Sequence, residues 1–237
     1  MIFLVQTYEG KVLHDFSFTL IESVKYQNWY TNTNDHQIMF TDNPTPTPQS
    51  GIVPCGSNEF VTKYLNTMGK EVKPRNIPVE LMDGDFTLRT VVNGTNKDIV
   101  GNKFVKSNAK IKAYTEIVDG NTGVPDGNYQ ISDIIDIESE WRCFVYKDTL
   151  QGLQNYSGEF TIFPNVGIIS QMISAFKPSA PIAYTLDVGI NDSGTFVIEV
   201  HDFFSCGLYG FCYRDLAFMF RDWFNEYVGK SGEDNES

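Results

Sequence analysis

Three side chains in one short stretch have the chemistry to hold a hard divalent cation. They are Asp187, Glu199 and His201 in "YTLDVGINDSGTFVIEVHD", residues 184–202. Carboxylate oxygens suit such an ion, and imidazole is a softer ligand. Tyr184, Leu186, Val188 and Ile190 alternate with other residues before "NDSG", as do Phe196, Ile198 and Val200 after it. A period of two predicts a hairpin with one apolar face and puts Asp187, Glu199 and His201 on the opposite face. With Asp192, Ser193 and Gly194 as a three-residue loop, and Gly194 left-handed, Asp187 falls across from Glu199. Facing acids repel unless something neutralises them, so the stretch reads either as a cation site or as a solvated face. On the cation reading the ligand-free pair is unneutralised, and Asp187→Asn is expected to melt at or above wild type.

Basic residues come earlier in the chain. Lys103 and Lys106 lie on "NKFVKS", with Lys110 and Lys112 across the following loop. Such lysines can converge on one anion, usually phosphate, or form an ordinary solvated charge run. Neither GxxxxGK[ST] nor GxGxxG occurs. In "SDIIDIESEWRCFVYKDTLQG", Ile134, Ile135 and Ile137 read as an apolar strand. After an acidic turn, Trp141, Cys143 and Val145 share one face and Arg142 and Phe144 the other. A buried arginine needs an anion, either a ligand or an internal acid such as Asp136, Glu138 or Glu140.

These residues must be carried by a mixed scaffold. "MIFLVQ" and "HQIMFTD" read as strands, "NEFVTKYLNTMG" as a helix ending at glycine, and "NPTPTPQSG" as a proline-interrupted loop. "DFTLRTVV", "NKFVKS", "YQISDIIDI", "WRCFVYK" and the hairpin supply further strands. "NVGIISQMISAF" and "RDLAFMFRDWFNEYV" supply helices, and the polar tail "KSGEDNES" reads as frayed. The pattern is α+β with no fixed repeat.

At 237 residues and 41% hydrophobic, the chain can bury a real core and is not largely disordered. Its net charge of -12 argues against a protein built to grip nucleic-acid backbone. No apolar run reaches spanning length, and "MIFLVQTYEGK" lacks a signal peptide's basic start, so a cytoplasmic protein without membrane contact is expected. Cys55, Cys143, Cys206 and Cys212 show no paired CxxC spacing and read as reduced thiols.

The order lysine, lysine, acidic hinge, arginine, Asp187, Glu199-x-His201 resembles the ATP-grasp superfamily, most closely the clade named for one arginine and two lysines. "VPCGSNEFVTKYL", "KPRNIP", "FVKS", "SEWRCFV", "NYSG", "AYTLDVG" and "IEVHDFFSCGLYGF" are similar to that clade, in the same order, from about Ile52 onward. The resemblance implies an α+β fold of two subdomains clasping ATP. Residues 1–85 would form a small α/β pre-domain, 86–237 the ATP-grasp domain, with a lid over about 86–135 and a core over about 136–230.

The resemblance also implies roles. Lys106 and Lys112 would hold ATP phosphates, Asp133 with Ile134 and Ile135 the adenine, and Glu140 the ribose. Arg142 would be the clade's arginine, and Asp187 and Glu199 would bind magnesium with the third ligand at position 201. Here His201 stands where the commonest pattern has asparagine, and it would hold either metal or substrate. The loop bearing Ser205 and Gly207 would receive the acceptor carboxylate. The implied activity is a carboxylate-amine ligase, ADP-forming, that activates an amino-acid, peptide or protein carboxylate as an acylphosphate for attack by an amine. A catalytically weak nucleotide-binding or interaction module is the rival reading, and paired-acid glycoside hydrolysis a more distant one.

Overall fold

The structure, a computed structural model, describes residues 1–109, 111 and 113–229. Lys110, Lys112 and the tail read as frayed, 230–237, lie outside the described residues. Two compact units divide the chain: residues 1–72, 181–183 and 202 onward in unit 1, and residues 73–180 and 184–201 in unit 2.

Unit 1 begins with β1 (Ile2–Gln6), α1 (Asp15–Thr31), β2 (Gln37–Thr41), β3 (Ile52–Cys55) and α2 (Asn58–Thr67). The strands form a parallel sheet in the order β2-β1-β3. Ser57 starts α2 by accepting a hydrogen bond from the Phe60 N–H at 3.2 Å, which satisfies one orphan donor of the first turn. The sequence reading missed α1. Its buried face carries Phe16, Leu20 and Val24 but also Ser17, Ser23 and Gln27, so the apolar period is interrupted by polar residues.

Unit 2 holds α3 (Gly84–Thr87), β4 (Val91–Thr95), β5 (Asn102–Ser107), β6 (Thr115–Asp119) and β7 (Asn128–Ser132). It continues with β8 (Ser139–Tyr146), β9 (Thr149–Gly158), α4 (Val166–Phe176), β10 (Ala183–Asn191) and β11 (Gly194–Asp202). These make two four-stranded sheets, β4-β7-β5-β6 and β11-β10-β8-β9. One core gathers α4's Ile169, Met172 and Phe176 with Cys143, Val145, Leu186 and Val188; a smaller one gathers Ile99, Val105, Tyr129 and Ile131. Gly158 closes the β8–β9 pair at φ +73°, where a Cβ would stand 2.2 Å from the Glu138 carbonyl oxygen, so only glycine fits.

"KPRNIP" stitches the two sheets of unit 2 together. The Gln130 amide brackets Ile77, accepting from its N–H at 3.0 Å and donating to its carbonyl at 2.9 Å. Asn76 accepts from the Val200 N–H at 2.7 Å, while its side-chain amide donates to Ser107 O and Asn108 Oδ1. A segment that bonds to β5, β7 and β11 fixes those strands against one another.

The last helix, α5 (Leu216–Gly229), returns the chain to unit 1. Ser23 accepts from the Ala217 N–H at 2.9 Å and Gln27 donates to the Arg214 carbonyl, which explains why α1 buries polar side chains.

Three local expectations are corrected. "DFTL" is a helical turn, because Asp83 caps it by accepting from the Asp85 N–H at 3.0 Å, and the strand starts only at Val91. Residues 133–137 have no regular structure: β7 ends at Ser132, and Ile134 is 46% exposed. The hairpin turn is Asp192–Ser193, with Gly194 already in β11 at φ +129°. There the Asn191 side chain accepts from the Ser193 N–H and donates to the Asp136 carbonyl; β10 ends at Asn191 as expected, and β11 starts one residue earlier than expected.

Candidate active site

Strands β10 and β11 bring the three predicted ligands together: atoms of Asp187, Glu199 and His201 all lie within 4.8 Å of one another. Asp187 is 1% exposed, so the solvated-face reading fails. His201 Nε2 is hydrogen-bonded to Glu199 Oε1, and Lys106, from the other sheet of the unit, is paired with Glu199 Oε2.

Asp187 has its own cation. Arg142 Nε donates to Oδ1 at 2.8 Å and Nη2 to Oδ2 at 2.7 Å, a parallel two-bond geometry that a guanidinium can supply and an ammonium cannot. The anion that a buried arginine at this position calls for is thus Asp187, an acid far along the chain. The acids are therefore not left to repel each other: a buried guanidinium balances one and an ammonium the other. That overturns the expectation that Asp187→Asn would leave the ligand-free protein as stable as before.

Tyr156 extends the cluster. Its ring centroid lies 5.5 Å from Arg142 Cζ, and its hydroxyl donates to Glu140 Oε2 at 2.7 Å. Burial, with Asp187 and Glu140 nearby, pushes its phenol far above the ordinary value, so it remains a donor. Burial pulls the Lys106 amine down to about 8, with Asp187 acting in the opposite direction.

The hinge residues fall elsewhere in unit 2. Asp133 leads out of β7, its carboxylate held by Lys103 Nζ at 2.5 Å and by the Thr90 N–H at 3.2 Å. Those hydrogen bonds, Lys103's first, hold its carboxyl below the usual range. Lys103 thus meets an internal acid, whereas Lys106 meets the metal-type cluster. Ile135 is half-buried, and Lys112 is outside the described residues. Ser205 and Gly207 belong to unit 1, in the loop before α5, where Ser205 Oγ donates to the Gly56 carbonyl at 2.6 Å.

Tyr156, Gln130 and Asn76 were not singled out from the sequence. Asn76 and Tyr156 sit inside "KPRNIP" and "NYSG", whose similarity was noted without a role. Gln130 left no signal beyond a polar residue in a strand. All four cysteines are free, and among the described residues no helix is long and apolar enough to cross a membrane.

A family model matches residues 86–218; it describes an ATP-grasp domain, family 2 of the clade named for one arginine and two lysines. A search of curated proteins finds no match. Among solved structures, D-alanine–D-alanine ligase from Bacillus anthracis is 11% identical, with 97% of this chain and 99% of that chain covered and a TM-score of 0.53. The RimK domain ATP-grasp protein from Sphaerobacter thermophilus is 13% identical, with 97% and 99% covered and a TM-score of 0.55. The ATP-grasp ligase PsnB complexed with minimal precursor is 11% identical, with 94% and 99% covered and a TM-score of 0.52. At such identities the likeness concerns the fold.

Proposed function

Because the chain belongs to the ATP-grasp superfamily, in family 2 of the clade named for one arginine and two lysines, we propose that it is an ATP-dependent carboxylate-amine ligase. The observation that carries this reading is the convergence of Lys106, Glu199, His201, Asp187 and Arg142 in one cluster. Phosphoryl transfer needs cations placed around a polyanion and acids placed for a hard metal, and this cluster offers both.

In this reading the sheet β4-β7-β5-β6 is the lid and the sheet β11-β10-β8-β9 the core. The main chain at Ile134 and Ile135 receives adenine beside Asp133, and Glu140 receives ribose. Lys106 exchanges Glu199 for the nucleotide's phosphates, joined by Lys112. Arg142 keeps Asp187 in place and stabilises negative charge on the transferring group. His201 holds one oxygen of Glu199 and thereby orients it. The Asp187 and Glu199 oxygens fit magnesium, which prefers hard donors in a site of this kind; when bound, it supplies charge neutralisation at the phosphates.

The γ-phosphoryl group passes to a carboxylate oxygen, giving ADP and an acylphosphate. An amine attacks the acyl carbon, the amide forms and phosphate leaves. Ser205 and Gly207 belong to the loop assigned to the acceptor. Solved relatives of this fold include a ligase bound to its precursor and one bound to ATP, which supports amino-acid or peptide substrates here. The four free cysteines suit a cytoplasmic enzyme.

Measuring ADP and phosphate release over a panel of amino acids and peptides tests the proposal. Release that depends on both a carboxylate and an amine, with stoichiometric amide, is the expected result. Nucleotide binding without turnover for any pair would favour the nucleotide-binding module.

A further inference from the structure

The outer strand of unit 1, β2, has the sequence Gln37-Ile38-Met39-Phe40-Thr41, with Met39 45% and Phe40 57% exposed. An open strand edge is a template for pairing with another chain, and proteins usually blunt it with charge, proline or bulges. The other outer strands do carry such devices: β3 has Pro54, β6 has Glu116 and Asp119, β11 has its acids, β9 has two bulges against β8, and Asp98 folds onto Gly94 of β4. Among the described residues, only β2 has none. We propose that β2 is a self-association edge, pairing antiparallel with β2 of a second copy of this chain about a two-fold axis at Met39.

The backbone sets the register. Gln37 donates to the Met1 carbonyl and Thr41 accepts from the Thr7 N–H, so the odd-numbered positions turn their main-chain groups toward β1. The groups of Ile38 and Phe40 therefore face outward. Asn28 already takes both main-chain groups of His36, donating to its carbonyl at 2.7 Å and accepting from its N–H at 3.2 Å, which confines the open edge to Ile38 and Phe40. A two-fold axis at Met39 sets Ile38 against Phe40 of the second copy as the hydrogen-bonded pair, and Met39 against itself as the non-hydrogen-bonded pair. Any register shifted by one residue would turn inward-facing groups toward the second copy.

The side chains suit the same register. An isologous contact must be complementary to itself. Here Phe40 meets Ile38, Gln37 meets Thr41, Asp42 meets His36 and Asp35 meets Asn43, so no two acids face each other although the chain has a net charge of -12. A charged peptide would find no counter-charge on this strand, which is why a second copy is the occupant the edge favours.

Sedimentation of the full chain over a hundredfold concentration range is expected to show monomer and dimer in exchange. Phe40→Pro removes an outward N–H and no bond to β1, and should shift the population to monomer with the circular dichroism spectrum kept. Met39→Lys, which places two like charges on the axis, should do the same if the proline variant misfolds. In a Cys212→Ser background, Met39→Cys should crosslink under diamide at least tenfold faster than Ile38→Cys or Phe40→Cys, because only position 39 meets itself. A monomer at every concentration, a dimer that survives both Phe40→Pro and Met39→Lys, or equal crosslinking at the three positions would overturn the proposal.

Discussion

Arg142 on β8 and Asp187 on β10 hold each other by two hydrogen bonds of 2.8 and 2.7 Å, with the carboxylate 1% exposed and the arginine 9%. Two strands of the same sheet thus carry a balanced ion pair where the chemistry is proposed to occur.

Removing one side of that pair strands the other in a dry site. Asp187→Asn should cost about 3 kcal/mol of unfolding free energy without ligand. It should also lose most of the stabilisation that magnesium-ATP gives wild type. Urea melts of both proteins, with and without magnesium-ATP, measure each quantity. Ligand-free melts that coincide would show that Arg142 does not need this carboxylate.

Lys106 gives the site a pH dependence. Its amine titrates near 8 when folded against 10.5 for the free side chain. Between those values the unfolded chain binds more protons, so this group makes stability rise with pH, by on the order of 3 kcal/mol across the window. Below pH 8 the amine is charged in both states and contributes no slope. Phosphates favour the charged amine, so ATP binding at pH 8.5 should take up about three quarters of a proton. Calorimetry in buffers of different ionisation enthalpy reads that uptake, which should vanish in Lys106→Met together with at least a tenfold loss of affinity.

Tyr156→Phe keeps the ring beside Arg142 and deletes the hydrogen bond to Glu140. A bond to a charged acceptor is worth about 1.5 kcal/mol. The KM for ATP should rise about tenfold while kcat changes less than threefold. Tyr156→Leu, which also removes the ring, should lower kcat as well. Equal KM values for the phenylalanine variant and wild type would detach Glu140 from nucleotide binding.

Gln130→Leu leaves the N–H and carbonyl of buried Ile77 without partners. It should destabilise unit 2 by about 3 kcal/mol, since each unmade buried bond costs about 1–3 kcal/mol. Amide exchange at Ile77 should accelerate more than exchange in the β10–β11 hairpin. Uniform acceleration would mean that the segment does not open locally.

The sequence exposed the parts of the fold where the hydrophobic period is clean. The hairpin, α2, α4 and β8 stand out because apolar residues recur at the spacing of one buried face. Helix α1 does not, since Ser17, Ser23 and Gln27 occupy inward positions for partners far along the chain. The same limit applied to the cluster. Types and alternation picked out Asp187, Glu199 and Arg142, yet which cation serves which acid depends on strand order, with β8 beside β10, and strand order is not written in any local spacing. Lys103 and Lys106 are three residues apart on one strand, so the period of two turns them to opposite faces, but that one meets Asp133 and the other Glu199 depends on their tertiary surroundings.

The return of α5 to unit 1 has a consequence for how the chain is made. Segments 1–72 leave the ribosome first, but the groups that Ser23 and Gln27 bond to lie at Ala217 and Arg214. At about 10 residues per second, roughly 13 s pass between the emergence of residue 72 and that of residue 202. Only at the end of that interval, once residues 184–201 have followed, does unit 2 hold every strand of its sheet β11-β10-β8-β9, and unit 1 still lacks the groups at Arg214 and Ala217. The unit begun first is thus the one whose residues are completed last, and the nascent β1–α2 segment is the part that a chaperone would have to shelter.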